Sequence, residues 1–168
     1  MRLPEQKLWD RLSHLMFGVW QAQRVENRVG INTPDVFFAS PADSTCPSGW
    51  IELKVYNPPV RIETRWRLPH WTPGQQDWAR RMAACGSPVW LVVHFANTDR
   101  IYVLGAHEAL EAQNKISLFD FRRRYDACSL SWKHATAQEI LDRFEESWYD
   151  SCVGAAMASI AVGPGSRK

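Results

Sequence analysis

The sequence lacks the features that mark several common classes of enzyme and binding domain. Its four cysteines, Cys46, Cys85, Cys128 and Cys152, lie far apart and form neither a CxxC pair nor a cluster with histidine. This spacing excludes the usual kinds of zinc site and is typical of reduced thiols in a cytosolic protein. There is also no Gly-rich phosphate loop and no Gly-x-Ser-x-Gly turn, which argues against nucleotide-driven chemistry and against a serine hydrolase.

Long apolar segments and a strong excess of one charge are absent as well. The longest weakly polar stretch, residues 153–162, is too short to span a bilayer, and charged residues interrupt the start of the chain. Lysine and arginine total 20 against 18 aspartate and glutamate, a net charge of +2. A uniformly basic surface for nucleic acid is therefore excluded. We expect a soluble cytoplasmic protein without a membrane partner.

The apolar residues that are present suffice for one folded domain. The chain has 168 residues, of which 45% are hydrophobic and 23% charged, close to the average for globular domains. Their spacing predicts helices over residues 4–17, 73–85 and 136–148, and strands over residues 19–25, 30–39, 50–56, 89–95 and 100–104. This order of elements predicts an α/β fold with a mixed central sheet flanked by helices.

The same pattern predicts how the domain is organised along the chain. A single domain over residues 1–150 would comprise a core of about 4–105 and a helical addition over 106–150. Residues 151–168 are small and glycine-containing, and they predict a flexible C-terminal tail.

Three charged residues have positions on predicted strands that suggest chemistry. Glu52 and Lys54 are two residues apart on one strand and must project from the same face, and Asp35 begins an apolar strand that would form a hairpin with it. Two neighbouring carboxylates suit a hard divalent cation such as Mg²⁺. An adjacent ammonium can hold or help to deprotonate an attacking water. The alternative interpretation is a solvated strand face for Glu52 and Lys54 and a turn residue for Asp35.

The order and spacing of these residues resemble the signature of the PD-(D/E)XK nuclease superfamily. The signature corresponds to Pro34-Asp35 followed, after a turn, by Glu52-Leu53-Lys54. A later stretch, Thr72-Pro73-Gly74-Gln75-Gln76-Asp77-Trp78, is similar to the Ser/Thr-Pro-x-Gln-x-x-Trp helix of the virus-type replication-repair nucleases (VRR-NUC) and of phage Holliday-junction resolvases. The resemblance covers about residues 5–105.

The resemblance implies a restriction-endonuclease-like core with helix–three strands–helix–two strands order (αβββαββ) and a metal site. Asp35 and Glu52 would be the metal-binding carboxylates, and the backbone carbonyl of Leu53 would be a third ligand. Lys54 would position and polarise the nucleophilic water. The implied cofactor is Mg²⁺ or Mn²⁺.

Two further residues receive supporting roles from the same resemblance. Gln75 would support the site from the following helix, through a contact with Lys54 or with a phosphate; its neighbour Gln76 is the alternative, depending on the phase of the helix. Glu5, on the inward side of the first helix, would be a secondary ligand of the metal or of water. The catalytic set is thus Asp35, Glu52, Lys54, Gln75 and Glu5.

A basic segment follows the predicted catalytic strand. Residues 61–81 hold five arginines against two acids, a net charge of +3, in a chain that is nearly neutral. We expect this segment to contact the DNA backbone, with two interleaved tryptophans stacking on bases or sugars. The alternative is a solvated loop anchored by the tryptophans. The candidate DNA-binding residues are Arg61, Arg65, Trp66, Arg67, His70, Trp71, Arg80 and Arg81.

The sequence therefore suggests a metal-dependent endonuclease that hydrolyses DNA phosphodiester bonds. Its substrate would be duplex or branched DNA such as a Holliday junction, in phage replication, recombination or repair, and a homodimer is possible. Two alternatives stay open. One is a non-catalytic nucleic-acid-binding module on the same fold, and the other is a structural or assembly protein.

Overall fold

Helices and strands follow one another in groups along the chain. The computed structural model describes residues 4–16, 20–25, 33–40, 44–68 and 70–161, the last of these ranges by backbone alone from residue 151. The elements are α1 (Pro4–Met16), β1 (Gln21–Arg24), β2 (Val36–Ala39), β3 (Gly49–Tyr56), α2 (Pro73–Ala84), β4 (Val89–Phe95), β5 (Arg100–Gly105), α3 (Ala106–Ala112), α4 (Leu118–Tyr125), β6 (Leu130–Ser131) and α5 (Ala137–Ala161).

One six-stranded mixed sheet organises these elements. The strands lie in chain order from β1 to β6, and every neighbouring pair is antiparallel except β3 and β4, which are parallel and joined through α2. The predicted α/β fold with a mixed sheet flanked by helices is confirmed. Strand β6 was not predicted, because two residues are too short to show an alternating pattern.

Both faces of the sheet are covered, so the central strands are buried on two sides. Ile51 and Leu53 of β3 belong to the core that α1 and α5 cover. The opposite face of β3 carries Trp50 and Tyr56, and it is covered by α2, α3, α4 and the segment around Trp66. Polar side chains in the middle of β3 on this second face are therefore removed from water.

Two helix starts follow the capping signals in the sequence. Thr72 caps α2 and forms a reciprocal capping box with Gln75. Thr136 and Glu139 form the same arrangement before α5, where the Thr136 amide donates to Glu139 at 2.8 Å. Both satisfy amides that the first helical turn leaves without partners.

The C-terminal helix is longer than the sequence predicted. The backbone is helical to Ala161, whereas a flexible tail was expected from residue 151. Residues 154–161 are rich in alanine, the residue with the highest helix propensity, which favours continuation of the helix. Residues 162–168, and positions 17–19 and 30–32 of other predicted elements, lie outside the described residues. Within the described ranges, no helix has both the length and the apolar character needed to cross a lipid bilayer.

Gly49, at the start of β3, offers a test of how tightly the sheet is packed. A Cβ at this position would lie 2.7 Å from the Pro88 carbonyl oxygen and 2.7 Å from the Trp90 ring. That carbonyl accepts a hydrogen bond from the Trp50 amide and cannot move freely. We expect Gly49→Ala to lower the free energy of unfolding by about 2–3 kcal/mol, measured by urea denaturation.

Gly86→Ala serves as the comparison for the Gly49 variant. Gly86 has a positive φ of 75°, but a Cβ there meets no atom within 4 Å. Its substitution should cost about 1 kcal/mol through backbone strain alone. An equal or smaller loss for Gly49→Ala would contradict the close contact between β3 and β4.

Candidate functional site

The register of β2 on β3 brings two carboxylates to one position of the sheet. Val36 pairs with Ile51, and continuing this antiparallel register by one residue sets Asp35 opposite Glu52. Residues that are directly opposite in an antiparallel pair project from the same face. The hairpin predicted from the sequence is confirmed, and it brings Asp35 close enough to Glu52 for their charges to interact.

Asp35 also completes the hydrogen bonding of β3 where the β2 ladder ends. Its Oδ2 accepts a hydrogen bond from the Leu53 amide at 2.9 Å. The register would set Pro34 opposite Leu53, and proline has no N–H to donate. The carbonyl of Leu53 points to the same side as its amide, so it has no ladder donor there. That carbonyl is therefore suited to a role as a ligand.

Glu52 and Lys54 are buried side by side. Glu52 is 2% exposed and Lys54 is 5% exposed, and the Lys54 ammonium donates a hydrogen bond to Glu52 Oε1. The alternative interpretation of a solvated strand face is wrong, because helices cover both faces of β3. A buried ion pair costs desolvation energy, and its retention requires partners for each polar atom.

Helix α2 supplies one of those partners. The side-chain amide of Gln75 donates a hydrogen bond to Glu52 Oε1 at 2.8 Å. Its own oxygen accepts from the Thr72 amide at 3.0 Å, so the capping box fixes the direction in which the Gln75 side chain points. Gln76 instead donates to the Trp71 carbonyl. Gln75 is thus the residue that faces the site, and it contacts Glu52 rather than the expected Lys54.

The environment makes ionisation of Glu52 costly. Burial raises the pKa of Glu52 to about 7 from the ordinary 4.5; the ammonium of Lys54 opposes the increase, and the charges of Asp35 and Glu5 add to it. Glu5, half-buried in the first turn of α1, therefore lies within electrostatic range of Glu52. The site is a cluster of acids with too few positive partners to compensate them.

A divalent cation would relieve this excess of negative charge. The available groups are carboxylate and carbonyl oxygens, the ligands that Mg²⁺ and Mn²⁺ prefer. In the part of the chain that the structure describes, no three His, Cys, Asp or Glu side chains converge into a metal site by themselves. A cation bound here would therefore use two carboxylates, Asp35 and Glu52, together with the Leu53 carbonyl. Asp43, another acid in the loop between β2 and β3, lies outside the described residues.

The two tryptophans of the basic segment do not form an exposed stacking surface. Trp66 is 0% exposed and stacks on Phe121 with ring centroids 4.4 Å apart, and Trp71 is 4% exposed. The expectation that Trp66 stacks on a base is therefore wrong, because its indole is part of the core. Trp71 contributes only the wall of a cleft.

The remaining candidate DNA-binding residues of this segment are exposed. Arg61, Arg65, Arg67 and His70 belong to the segment that follows β3. Arg80 and Arg81 are exposed on α2 and pair with Asp77 at 3.6 and 3.4 Å.

A cleft of about 1020 Å³ opens beside the acid cluster. Half-buried Glu5 and Val55 line it together with exposed Arg67 and His70. Asn114, which follows α3, also lines it. Asn114 could not be predicted from the sequence, because residues 106–150 carry no recognisable motif and only the fold brings them to this cleft.

No protein-family model matches the chain, and no curated protein shows significant sequence similarity to it. The geometry of the site itself is therefore the basis for assigning a function.

The raised pKa of Glu52 predicts a pH-dependent stability. The folded protein holds this proton more tightly than the unfolded chain does. Protonated Glu52 therefore stabilises the fold fully below pH 4.5, and this stabilisation is lost as the pH rises through about 7. In metal-free buffer, the side chain of Glu52→Gln cannot ionise. The unfolding free energy of this variant should therefore rise relative to that of the wild type by about 2–3 kcal/mol from pH 5 to pH 8. Urea denaturation at the two pH values measures this gain.

Glu63→Gln is the matched control, because Glu63 is an exposed acid outside the site. A difference between wild type and Glu52→Gln that stays constant from pH 5 to pH 8 would contradict the buried, acid-rich environment of Glu52.

Proposed function

We propose that the chain is a Mg²⁺- or Mn²⁺-dependent endonuclease that hydrolyses DNA phosphodiester bonds. The observation that carries the proposal is the burial of Glu52 and Lys54 side by side on β3, with Asp35 opposite. Burying an ion pair gains little stability compared with well-packed apolar residues. A chemical role accounts for charged groups at this position better than a structural role does.

Asp35, Glu52 and the Leu53 carbonyl are the groups that would hold the cation, and Glu5 would be a more distant carboxylate. The cation would supply a Lewis acid that neutralises charge on the phosphoryl group and favours deprotonation of water. The observation that supports this fit is the burial of Glu52 within electrostatic range of Asp35 and Glu5; burial first, and then the charges of these two acids, raise the pKa of its carboxyl.

The remaining groups act through position and hydrogen bonding. The Lys54 ammonium can hold the attacking water and polarise it in a site from which bulk water is largely excluded. Gln75 keeps the Glu52 carboxylate in one orientation, and its own orientation is fixed by the cap of α2. Gln75 is therefore a positioning residue rather than a catalytic one.

The substrate class follows from charge and from the resemblance to PD-(D/E)XK nucleases. Exposed Arg61, Arg65 and Arg67 lie after β3, where a DNA backbone would pass, and cationic side chains at such positions bind phosphates. The resemblance extends the proposal to a restriction-endonuclease-like core of the VRR-NUC type. The resemblance also extends the proposal to branched DNA such as a Holliday junction and to a homodimer. The corresponding biological role is phage replication, recombination or repair in the host cytoplasm.

Cleavage assays with paired variants test the proposal. With Mg²⁺ or Mn²⁺, the protein should cut plasmid or branched DNA, and EDTA should stop the reaction. Asp35→Asn and Lys54→Met should lower the rate by about 10²-fold or more, because each removes a group that acts on the reacting atoms. Circular dichroism establishes that the variants are folded.

Asp142→Asn is the matched control, because it removes an exposed carboxylate from α5, which packs on the face of the sheet opposite to Glu52. Its rate should equal that of the wild type. Cleavage that survives both Asp35→Asn and Lys54→Met would contradict the site. DNA binding without metal-dependent cleavage would favour the non-catalytic binding module, and the absence of both would favour a structural or assembly protein.

A further inference from the structure

The cleft beside the acid cluster has a composition that the proposed hydrolysis does not require. Its volume of about 1020 Å³ is at the upper end of the range for small-molecule sites, about 300–1,000 Å³. This volume suits one or two nucleotides rather than a duplex. The cleft adjoins the site: Val55 and Tyr56, which follow Lys54 on β3, line it, and so does Glu5, which lies within electrostatic range of Glu52.

The walls of the cleft combine three kinds of chemistry. Arg67 provides an exposed cation for which the described residues offer no ion-pair partner within 4.0 Å. Asn57 and Asn114 provide exposed amides that can both donate and accept hydrogen bonds. Tyr56 and Trp71 provide an apolar wall. These groups match the parts of a nucleotide. The cation suits a phosphate, the amides suit the edge of a base, and the apolar wall suits the face of a sugar or base.

Two residues of the wall are held in the left-handed backbone region. Asn114 has a φ of 62° where it ends α3, and its amide donates to the Trp66 carbonyl at 2.9 Å. His70 has a φ of 59° beside Trp71. A non-glycine residue in this conformation is costly unless the surroundings enforce it, and such residues cluster at ligand sites. The fold therefore keeps these two side chains at the cleft despite an unfavourable backbone.

Hydrogen bonds between two adjacent segments of the chain hold this wall in place. Gln113 is 7% exposed, and its side-chain oxygen accepts a hydrogen bond from the Leu68 amide at 2.9 Å. The Trp66 amide donates to the Ile116 carbonyl at 2.9 Å. These bonds join the segment after β3 to the segment after α3, so the two halves of the cleft wall are preorganised before any ligand binds.

We infer that the cleft binds one unpaired nucleotide of the substrate strand next to the bond that is cut, an inference that rests on the proposed nuclease function. Amides can read the Watson–Crick edge of a base only when that edge is not paired. Arg67 and His70 contact the adjacent phosphate, and Asn57 and Asn114 contact the base. The cleft thereby selects strands that contain an unpaired position over fully paired duplex.

Binding measurements in EDTA separate this inference from catalysis. Fluorescence anisotropy compares three labelled probes: a single-stranded 12-mer, the paired duplex of the same sequence, and that duplex with one bulged nucleotide. The wild type should bind the single strand and the bulged duplex about tenfold more tightly than the paired duplex. Equal affinity for the paired and bulged duplexes would overturn the inference.

Three cleft variants and one control assign the preference to this surface. His70→Gly and Asn114→Gly remove a side chain where the backbone already suits glycine, so folding is preserved. Both variants and Arg67→Ala should reduce the preference for the bulged duplex to about twofold or less. Arg143→Ala removes a positive charge from α5, on the opposite face of the sheet, and should keep the full preference.

The outcomes also separate the two proposals from each other. Cleft variants that retain the preference, or an Arg143→Ala variant that loses it equally, would overturn the cleft as the binding site. A preference that depends on the cleft without metal-dependent cleavage would support the cleft while contradicting the nuclease. Metal-dependent cleavage without any preference for unpaired nucleotides would support the nuclease and overturn the cleft inference.

Discussion

A buried carboxylate at the centre of a covered sheet is the constraint on which the site depends. Glu52 can remain in this position only because Lys54 and Gln75 donate hydrogen bonds to the same oxygen. The Gln75 bond in turn requires α2 to be capped by Thr72. The approach of Asp35 requires the ladder between β2 and β3 to stop at Pro34, just before β2 begins. Local features of three separate segments are therefore coupled through one charged group, which a bound cation would compensate further.

The sequence predicted most of this arrangement because its signals are local. Period-two alternation identified β3, the turn-rich loop before it indicated a hairpin with β2, and Thr72 with Pro73 marked the start of α2. The burial of Glu52 and Lys54 could not be read in the same way. An alternating strand looks the same whether its polar face meets water or helices, and the residues that cover this face, such as those of α3 and α4, are distant in sequence.

The errors have the same physical origin. Trp66 stands among arginines in the sequence, but its neighbour in space is Phe121 on α4, and the large apolar indole is buried there. The position of Asn114 at the cleft could not be predicted, because it depends on where α3 ends and the helical addition carries no motif of its own. Residues 106–150 therefore do more than extend the core: α3 and α4 cover one face of the sheet, α5 covers the other, and Gln113 and Asn114 line the cleft beside the acids.

Calorimetric titration of the metal-free protein with Mn²⁺ tests most directly whether Asp35 and Glu52 form a metal site. One bound Mn²⁺ per chain is expected in the wild type, and loss of that binding is expected in folded Asp35→Asn, because two carboxylates and one carbonyl must act together. An absence of Mn²⁺ binding by the wild type, or binding that Asp35→Asn leaves unchanged, would contradict a metal site formed by Asp35 and Glu52.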